Sequence, residues 1–408
     1  MDYNFDKIVN RKNTNSFKWD KLAARFGRDD IIPMWIADME FETPIEVSKI
    51  IKERANHGVY GYTFRSEGYH DAIKNWVKKR HDWDIDSKWI TFSPGIVPAL
   101  SMCVNTFTKP GDKIITQTPV YPPFYSVIKQ NGRIVIENEL KFNNGRYTID
   151  FEDLLCKINL KRNYFTSNLM NNEFKFDPSI KMLFLCNPHN PSGRVWTKDE
   201  LLRIGEICLK NNILIASDDI HCDIVYKNNK YLPIASLSKE LENISITCIS
   251  PGKTFSLTGM ATSAIIIPNE KLREEYNKTL ETLELDGGNI FGALATEAAY
   301  KYGEKWLEEL LKYLEDNLNF AVNYFETNIP QIKPVRPQGT YLLWLDCSDL
   351  GLKGIDLSDF FVNQAKIAVN PGASFGKNSK EFVRMNIACS RKVLEKALYQ
   401  IEEAVKAK

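Results

Sequence analysis

The chain has 408 residues, of which 43% are hydrophobic and 26% are charged, so it can bury a sizeable core in two or three packing units. Its 53 basic and 52 acidic side chains leave a formal net charge of +1 without any basic or acidic block, which argues against nucleic acid and membrane surfaces as partners. With no apolar run of membrane-spanning length and no secretion signal, a cytoplasmic protein is expected.

The first half of the chain predicts an arm followed by a large α/β domain. Residues 1–47 contain extended, proline-containing segments and are predicted to be an N-terminal arm and part of a small domain. Residues 48–290 are predicted to form the large domain, because apolar runs without polar alternation are typical of parallel strands that are covered on both faces. The predicted strands are 89–92, 113–116, 133–137, 182–185, 213–216, 244–249 and 263–267.

Helical patterns separate these strands and continue beyond them. Thr197 and Glu200 have the spacing of a capping box, which predicts a helix start. Residues 291–408 are predicted to hold a long interdomain helix over 304–328 and a C-terminal small α+β domain, with a strand at 340–346 and a final helix. Residues 157–178 lack periodicity and are interpreted as a polar excursion.

Cysteine and histidine usage gives no sign of metal or disulfide chemistry. The eight cysteines are scattered without a CxxC pair, and the five histidines include no HExxH. We therefore predict reduced cysteines that pack in the core, and no metal site.

Lys253 is the first candidate for chemistry. It is the only charged residue between Glu242 and Glu270. Most lysines at strand ends merely extend their amine to solvent. Surroundings that are apolar or small disfavour the charged form, however, so the amine becomes nucleophilic near neutral pH and could form an imine with an aldehyde.

Polar groups follow several of the predicted strands, at the edge of the sheet where ligands bind in open α/β folds. Asp218 could keep a pyridine nitrogen protonated, although a helix cap or a magnesium site is an equally good explanation. Asn190 lies in a rigid Asn-Pro turn and could donate to a ring oxygen. The turn at Gly95 begins a helix whose N–H groups could hold a phosphate. Tyr121 could stack on a ring, and Arg384 could clamp a carboxylate or form a structural ion pair.

In chain order these segments resemble fold-type I enzymes dependent on pyridoxal 5′-phosphate (PLP), of the class I/II aminotransferase superfamily. The resemblance is strongest to the C–S β-lyase branch, which includes cystalysin, cysteine desulfhydrases and cystathionine β-lyases of the MalY/PatB type. It runs from residue 11 to residue 391 through RKNTNSFKWD, MWIADMEF, GYT, SPGIVPAL, TPVYPPF, CNPHNPSGRVW, SDDIHCDIVY, PGKTF, GTYLLWLD and FVRMNIACSR. It implies the aspartate aminotransferase-like fold, with a mostly parallel sheet in the large domain and a smaller α+β domain.

The resemblance also implies a role for each matching residue. Lys253 would be the Schiff-base lysine and catalytic base, and Arg384 would bind the substrate carboxylate beside Ala37 and Asp38. Tyr62 would reach the phosphate from the partner subunit of a homodimer. The cofactor-binding residues would be Gly95, Ile96, Val97, Tyr121, Asn190, Asp218, His221, Ser250, Lys253 and Tyr62.

Two positions distinguish branches within the superfamily. Ala261 stands where aspartate-type transaminases have arginine, and His221 stands where they have a tyrosine; both features are usual in the lyase branch. Most relatives have SKTFN where this chain has Gly252 and Ser256 on either side of Lys253-Thr-Phe, so one phosphate-side hydroxyl is expected to be missing.

The expected activity is elimination of a thiol from a sulfur-containing L-amino acid to give pyruvate and ammonia. An aminotransferase is the alternative, because the two reactions diverge only after the Cα proton has been removed. A PLP-binding protein with an interaction or regulatory role is a third hypothesis, which the intact set of Lys253, Asp218, Asn190 and Arg384 disfavours.

Overall fold

The computed structural model describes residues 3–159 and 176–408, so most of the predicted excursion at 157–178 lies outside the described residues. The described strands are β1 (Ile32–Pro33), β2 (Ile90–Ser93), β3 (Lys113–Thr118), β4 (Ile134–Glu139), β5 (Lys141–Asn143), β6 (Arg146–Thr148), β7 (Ile180–Cys186), β8 (Leu214–Asp218), β9 (Ser245–Ile249), β10 (Ser263–Ile266), β11 (Lys333–Val335), β12 (Leu342–Asp346), β13 (Ile367–Ala368), β14 (Asn370–Pro371) and β15 (Phe382–Asn386).

The helices lie mainly between these strands and after them. In chain order they are α1 (Phe17–Asp20), α2 (Leu22–Phe26), α3 (Ile45–Asn56), α4 (Glu67–His81), α5 (Ile96–Phe107), α6 (Pro123–Gln130), α7 (Phe151–Ile158), α8 (Lys198–Lys210), α9 (Lys239–Ile244), α10 (Pro251–Thr254), α11 (Glu270–Thr282), α12 (Ile290–Tyr302), α13 (Glu304–Asn328), α14 (Ile355–Asp359) and α15 (Arg391–Lys406). The capping box at the start of α8 and the long helix α13 are confirmed.

A seven-stranded sheet organises the larger part of the described chain, in the order β2-β10-β9-β8-β7-β3-β4. The pairs from β9 to β4 are parallel, and only β10 runs antiparallel to its neighbours. Each of the seven strands predicted for the large domain corresponds to one strand of this sheet, which confirms the α/β class with a mostly parallel sheet. The fold is the aspartate aminotransferase-like fold.

Burial on both faces explains why these strands are continuous apolar runs. In β7, Met182 and Phe184 pack into one hydrophobic cluster with α5 and α11, whereas Leu183 and Leu185 pack into another cluster with α8 on the opposite face. Successive side chains of a strand point to opposite faces, and both faces are buried here, so positions 182–185 are all apolar.

A second, four-stranded sheet is built from the C-terminal part, in the order β11-β12-β15-β14 and antiparallel throughout. The N-terminal strand β1 pairs with β13 of this part, so the N-terminal segment packs against the C-terminal part. The domain limits at residues 47 and 290 remain predictions.

The carboxyl end of the large sheet brings the candidate segments together. Because β2, β3, β7, β8 and β9 point in the same direction, the turns that follow them lie along one edge. Those turns contain Gly95, Tyr121, Asn190, the residue pair Asp218–Asp219, and Lys253. The fold therefore places the predicted chemistry at a single edge.

Candidate active site

A cavity of about 380 Å³ lies at this edge, between the large sheet, the N-terminal segment and the C-terminal sheet. Its walls combine residues from segments that are far apart in the sequence. Among them are most of the residues singled out from the sequence, namely Ala37, Gly95, Ile96, Val97, Tyr121, Asn190, Asp218, His221, Ser250, Lys253 and Arg384.

Lys253 provides an amine that is reactive near neutral pH. It lies on the single turn α10, and its Nζ donates to the carbonyl oxygen of Ala37. Burial lowers the pKa of Lys253 to about 8; the positive charge of Arg384 acts in the same direction, and the carboxylates of Asp38 and Asp218 oppose it. A larger fraction of the amine than in an ordinary lysine is therefore neutral near neutral pH, and nucleophilic attack and proton abstraction require that form.

Asp218 provides a buried carboxylate without a paired cation. It is 4% exposed, and among the described residues no basic nitrogen lies within ion-pair distance of it. Burial raises the pKa of Asp218 to about 6, against the hydrogen bond that its Oδ1 accepts from the Ile220 N–H at 3.2 Å and the charge of Lys253. A cationic N–H placed beside it would restore full ionisation.

Arg384 is also buried without an opposite charge. Its guanidinium donates to Asn190 Oδ1 at 2.9 Å, to the Trp35 carbonyl at 3.0 Å and to Asn370 Oδ1 at 2.8 Å, while its Nε has no partner. Burial lowers the pKa of Arg384 to about 10. Since no carboxylate pairs with it within the described ranges, the structural ion pair is disfavoured, and a ligand carboxylate would complete its surroundings.

The opposite end of the cavity can receive a phosphate. Gly95 precedes the twelve-residue helix α5, so the first N–H groups of this helix point into the cavity region. The Ser93 hydroxyl donates to the Gly95 carbonyl at 2.7 Å and fixes this turn. The Ser250 hydroxyl donates to the Thr262 carbonyl at 2.8 Å and accepts from the Gly252 N–H, so it also stiffens the turn before Lys253.

His221 and Tyr121 are the remaining ring-bearing candidates in the cavity. Burial lowers the pKa of His221 to about 3, assisted by the charges of Lys253 and Arg384, so its imidazole is neutral at ordinary pH. Its Nδ1 has no partner. Burial likewise raises the pKa of Tyr121, which keeps its phenol protonated.

Asp38 and Tyr62 are not part of the cavity wall in the single chain. The Asp38 carboxylate pairs with Arg11 at 2.6 Å, and its carbonyl accepts from Lys18 and Asn386. Tyr62 is fully exposed, in a segment that also exposes three other large apolar side chains: Val59, Tyr60 and Phe64. Their predicted contacts with substrate and cofactor therefore remain predictions.

Several wall residues were not found from the sequence. Asn370 lies opposite Arg384 in the pairing of β14 with β15, and a strand of two residues leaves no periodic signal. Thr258 and Thr262 follow Lys253 closely and line the same end as Ser250. The sequence did offer a signal for these two threonines. They lie close to Lys253 in the chain, and hydroxyl groups can donate hydrogen bonds to a phosphate.

The donor set of this cavity fits PLP. A neutral amine suits an aldehyde, an unpaired carboxylate suits a protonated pyridine nitrogen, and a helix N-terminus suits a phosphate. The Asn190 Oδ1 accepts from Arg384, which leaves the amide nitrogen to donate to a ring oxygen. The unpartnered Nε of Arg384 is available to a second anionic ligand.

Two further findings concern the cysteines and the helices. All eight cysteines are free, and all but the exposed Cys156 are buried, which confirms that most of them pack in the core. Within residues 3–159 and 176–408, no helix is both long and apolar enough to cross a membrane.

Comparison with known proteins gives matches over nearly the whole chain. The family model described as aminotransferase class I and II matches residues 29–401. Cystathionine beta-lyase PatB of Bacillus subtilis is 42% identical over 402 residues, which cover 98% of this chain and 100% of that protein. Cystalysin of Treponema denticola, whose crystal structure contains PLP, superposes with a TM-score of 0.93 at 36% identity over 100% of both chains. The PLP-bound C-S lyase of Staphylococcus hominis gives a TM-score of 0.88 at 33% identity, covering 99% of this chain and 98% of that one.

Proposed function

The chain belongs to the aminotransferase class I and II family, and we propose that it is a PLP-dependent C–S β-lyase that releases a thiol, pyruvate and ammonia from a sulfur-containing L-amino acid. One observation carries the proposal. The amine of Lys253, with its lowered pKa, shares a cavity with the unpaired charges of Asp218 and Arg384. The similarity to cystathionine beta-lyase PatB and to the C-S lyase of Staphylococcus hominis directs the choice of reaction.

The proposed binding mode assigns one residue to each part of the cofactor. Lys253 binds the aldehyde carbon, Asp218 pairs with the ring nitrogen, and Asn190 donates to the ring oxygen. Tyr121 stacks on the ring and His221 lies beside it. The phosphate is held at the other end by the backbone of Gly95, Ile96 and Val97, together with Ser250.

The chain's own residues then bind the substrate and move its proton. Arg384 binds the α-carboxylate and fixes the orientation of the Cα–H bond. The freed Nζ of Lys253 takes the Cα proton, because its lowered pKa makes the neutral form of the amine accessible near neutral pH. When bound, PLP supplies the electron sink that stabilises negative charge at Cα. Departure of the thiol from Cβ, with a proton to balance its charge, leaves aminoacrylate. After release, water hydrolyses aminoacrylate to pyruvate and ammonia.

The experiment that tests this function is a visible absorbance spectrum with PLP, followed by a pyruvate assay with L-cystathionine. A visible band and steady pyruvate release without any keto acid are expected. An aminotransferase would instead consume the amino acid only when a keto acid acceptor is present. A band accompanied by strictly acceptor-dependent turnover would therefore replace the lyase with that alternative.

Arg384→Lys is expected to raise KM for L-cystathionine by about 10- to 100-fold. The lysine keeps the charge but loses the planar fork, which removes about one hydrogen bond to a charged group at roughly 1.5–3 kcal/mol. The measurement is steady-state pyruvate release at varied substrate concentration. Arg133→Lys is the matched control, since Arg133 is equally buried but lies in a separate network with Thr108 and the Asn131 carbonyl. An unchanged KM in Arg384→Lys would remove Arg384 from the substrate site.

We further propose a homodimer in which Tyr62 completes the partner's phosphate site. The exposure of Tyr62 beside three other large apolar side chains supports this, because such clusters mark surfaces that bind another chain. Light scattering should give the mass of two chains.

Mixing two inactive variants tests the shared site. Tyr62→Ala and Lys253→Ala, unfolded together and refolded at equal amounts, should recover about one quarter of wild-type activity, because half of the dimers are mixed and each has one intact site. The variants refolded separately are the controls. A dimer that shows no recovery would place Tyr62 outside the partner's site.

A further inference from the structure

The turn that follows β8 presents its side chains to two sides. Asp218 and His221 line the cavity, whereas Asp219 and Asp223 bond to residues outside it. The turn is held by backbone bonds from the Cys222 N–H to Asp219 and from the Ile224 N–H to His221. The side of the turn that faces away from the cavity is therefore also polar and buried, and the proposed reaction assigns it no role.

Asp223 is the centre of that buried side. It is 3% exposed, and its Oδ1 accepts from the Trp76 indole N–H at 3.0 Å while its Oδ2 accepts from the Thr254 hydroxyl at 2.9 Å. His81 Nε2 lies 3.2 Å from Oδ1. Burial alone would raise the pKa of Asp223, but His81, Arg80 and Thr254 together hold it below its usual value. The core therefore contains an ionised carboxylate with three polar neighbours.

Thr254 connects this carboxylate to the catalytic lysine. It is the residue after Lys253, it ends the single turn α10, and it is fully buried. The backbone ladder between β8 and β9 ends at the pair formed by Asp218 and Cys248. Beyond that pair, the hydrogen bond from Thr254 to Asp223 joins the turn that carries Asp218 to the turn that carries Lys253.

We propose that Asp223 is a positioning residue, which through Thr254 fixes the Lys253 turn relative to the Asp218 turn. Trp76 holds the carboxylate from α4 by a hydrogen bond, and His81 of the same helix lies beside it. This inference rests on the proposed function, since it assigns Lys253 and Asp218 to opposite ends of one bound cofactor. A small shift of either turn would misplace the amine, and misplacement by about 1 Å can cost on the order of 100-fold in rate.

The same side chains could be taken for a metal site, because the ligand atoms of His81, Cys222 and Asp223 lie within 4.8 Å of one another. The surroundings favour a hydrogen-bonded network instead. Both oxygens of Asp223 already accept hydrogen bonds, and the positive charge of Arg80 acts on Asp223 and Cys222 alike. Burial also raises the pKa of the Cys222 thiol well above its usual value, which disfavours the thiolate that binds metals.

Three substitutions test the positioning role. Thr254→Val removes the hydroxyl at nearly constant shape and should lower kcat about tenfold with KM within about twofold. It should also slow, about tenfold, the growth of the visible band when cofactor-free protein is mixed with PLP. Thr254→Ser keeps the hydroxyl and should restore both rates. Asp223→Asn should resemble Thr254→Val, and the double variant should be no slower than Asp223→Asn alone, because both changes break the same bond.

Thr108→Val is the matched control, since Thr108 is buried, its hydroxyl bonds to Val104 and Arg133, and it lies outside the cavity wall. It should lower the melting temperature without changing either rate. Equal rates in Thr254→Val, Thr254→Ser and Thr108→Val would overturn the proposal. A wild-type protein that forms the band without making pyruvate would contradict the lyase function alone, because the band kinetics still report on Thr254. Absence of any band in wild type would overturn both.

Discussion

Lys253→Ala is expected to remove the visible absorbance band that PLP gives with the wild-type protein, and to lower kcat for pyruvate release by about 10⁴-fold. The substitution deletes both the amine that binds the aldehyde carbon and the base that takes the Cα proton. No neighbouring group can replace it. His221, the other nitrogen base in the cavity, has its pKa lowered to about 3 and is a weak acceptor.

The structure also predicts which properties Lys253→Ala should keep. The substitution removes one hydrogen bond, which the Nζ of Lys253 donates to the Ala37 carbonyl. It also removes a buried amine whose charged form is disfavoured by burial, as its lowered pKa indicates, so the two effects on stability oppose each other. The melting temperature of the cofactor-free variant should therefore stay close to that of the cofactor-free wild type. A residual band or undiminished turnover would exclude Lys253 as the reactive amine.

A matched lysine distinguishes the loss of this amine from a general loss of charge. Lys113 begins β3 at the far end of the sheet from the cavity, and it pairs with Asp177 at 2.6 Å. Lys113→Ala should keep the band and the rate of pyruvate release, and any loss should appear in the melting temperature, because the pair with Asp177 is largely buried and lies away from the cavity.

Strand positions in the large sheet were predictable because burial on both faces leaves an unbroken apolar run. For β7 the sequence predicted 182–185 and the structure has Ile180–Cys186, so only the ends differ. Short strands such as β5, β13 and β14 were not predicted, since two or three residues are too few for any periodicity. Their formation depends on partners elsewhere in the chain: β13, for example, pairs with β1.

The same contrast applies to the site. Lys253 and Asp218 were predictable because each is a charged residue beside an apolar strand, and parallel strands collect their carboxyl ends at one edge. Asn370 and Asp223 were not predicted, because their roles follow from contacts with Arg384 and Thr254 that only the folded chain creates. Tyr62 shows the remaining limit: a single chain leaves it exposed, so its predicted role needs a second copy.

Asp218→Asn is expected to lower kcat/KM for L-cystathionine by about 100- to 1000-fold. Asparagine has the same shape but cannot pair with a protonated ring nitrogen, and breaking a buried charge pair costs about 3–5 kcal/mol. Part of this cost should appear as weaker PLP binding. Burial raises the pKa of Asp218 to about 6 in the cofactor-free chain, and a protonated ring nitrogen beside it would stabilise the charged carboxylate. Titration of the visible band with PLP measures this part, and saturating PLP isolates the effect on turnover.

The neighbouring carboxylate gives the sharpest control for that prediction. Asp219 is fully buried, its pKa is raised by burial to about 7, and its oxygens accept from Ser217 and Tyr231 at 2.6 Å each. It lies one residue from Asp218 but outside the cavity wall. Asp219→Asn removes a comparable buried acid and should change kcat/KM by less than about tenfold, with any loss appearing in the melting temperature. Equal effects of the two substitutions would mean that Asp218 acts through the fold and not through the cofactor.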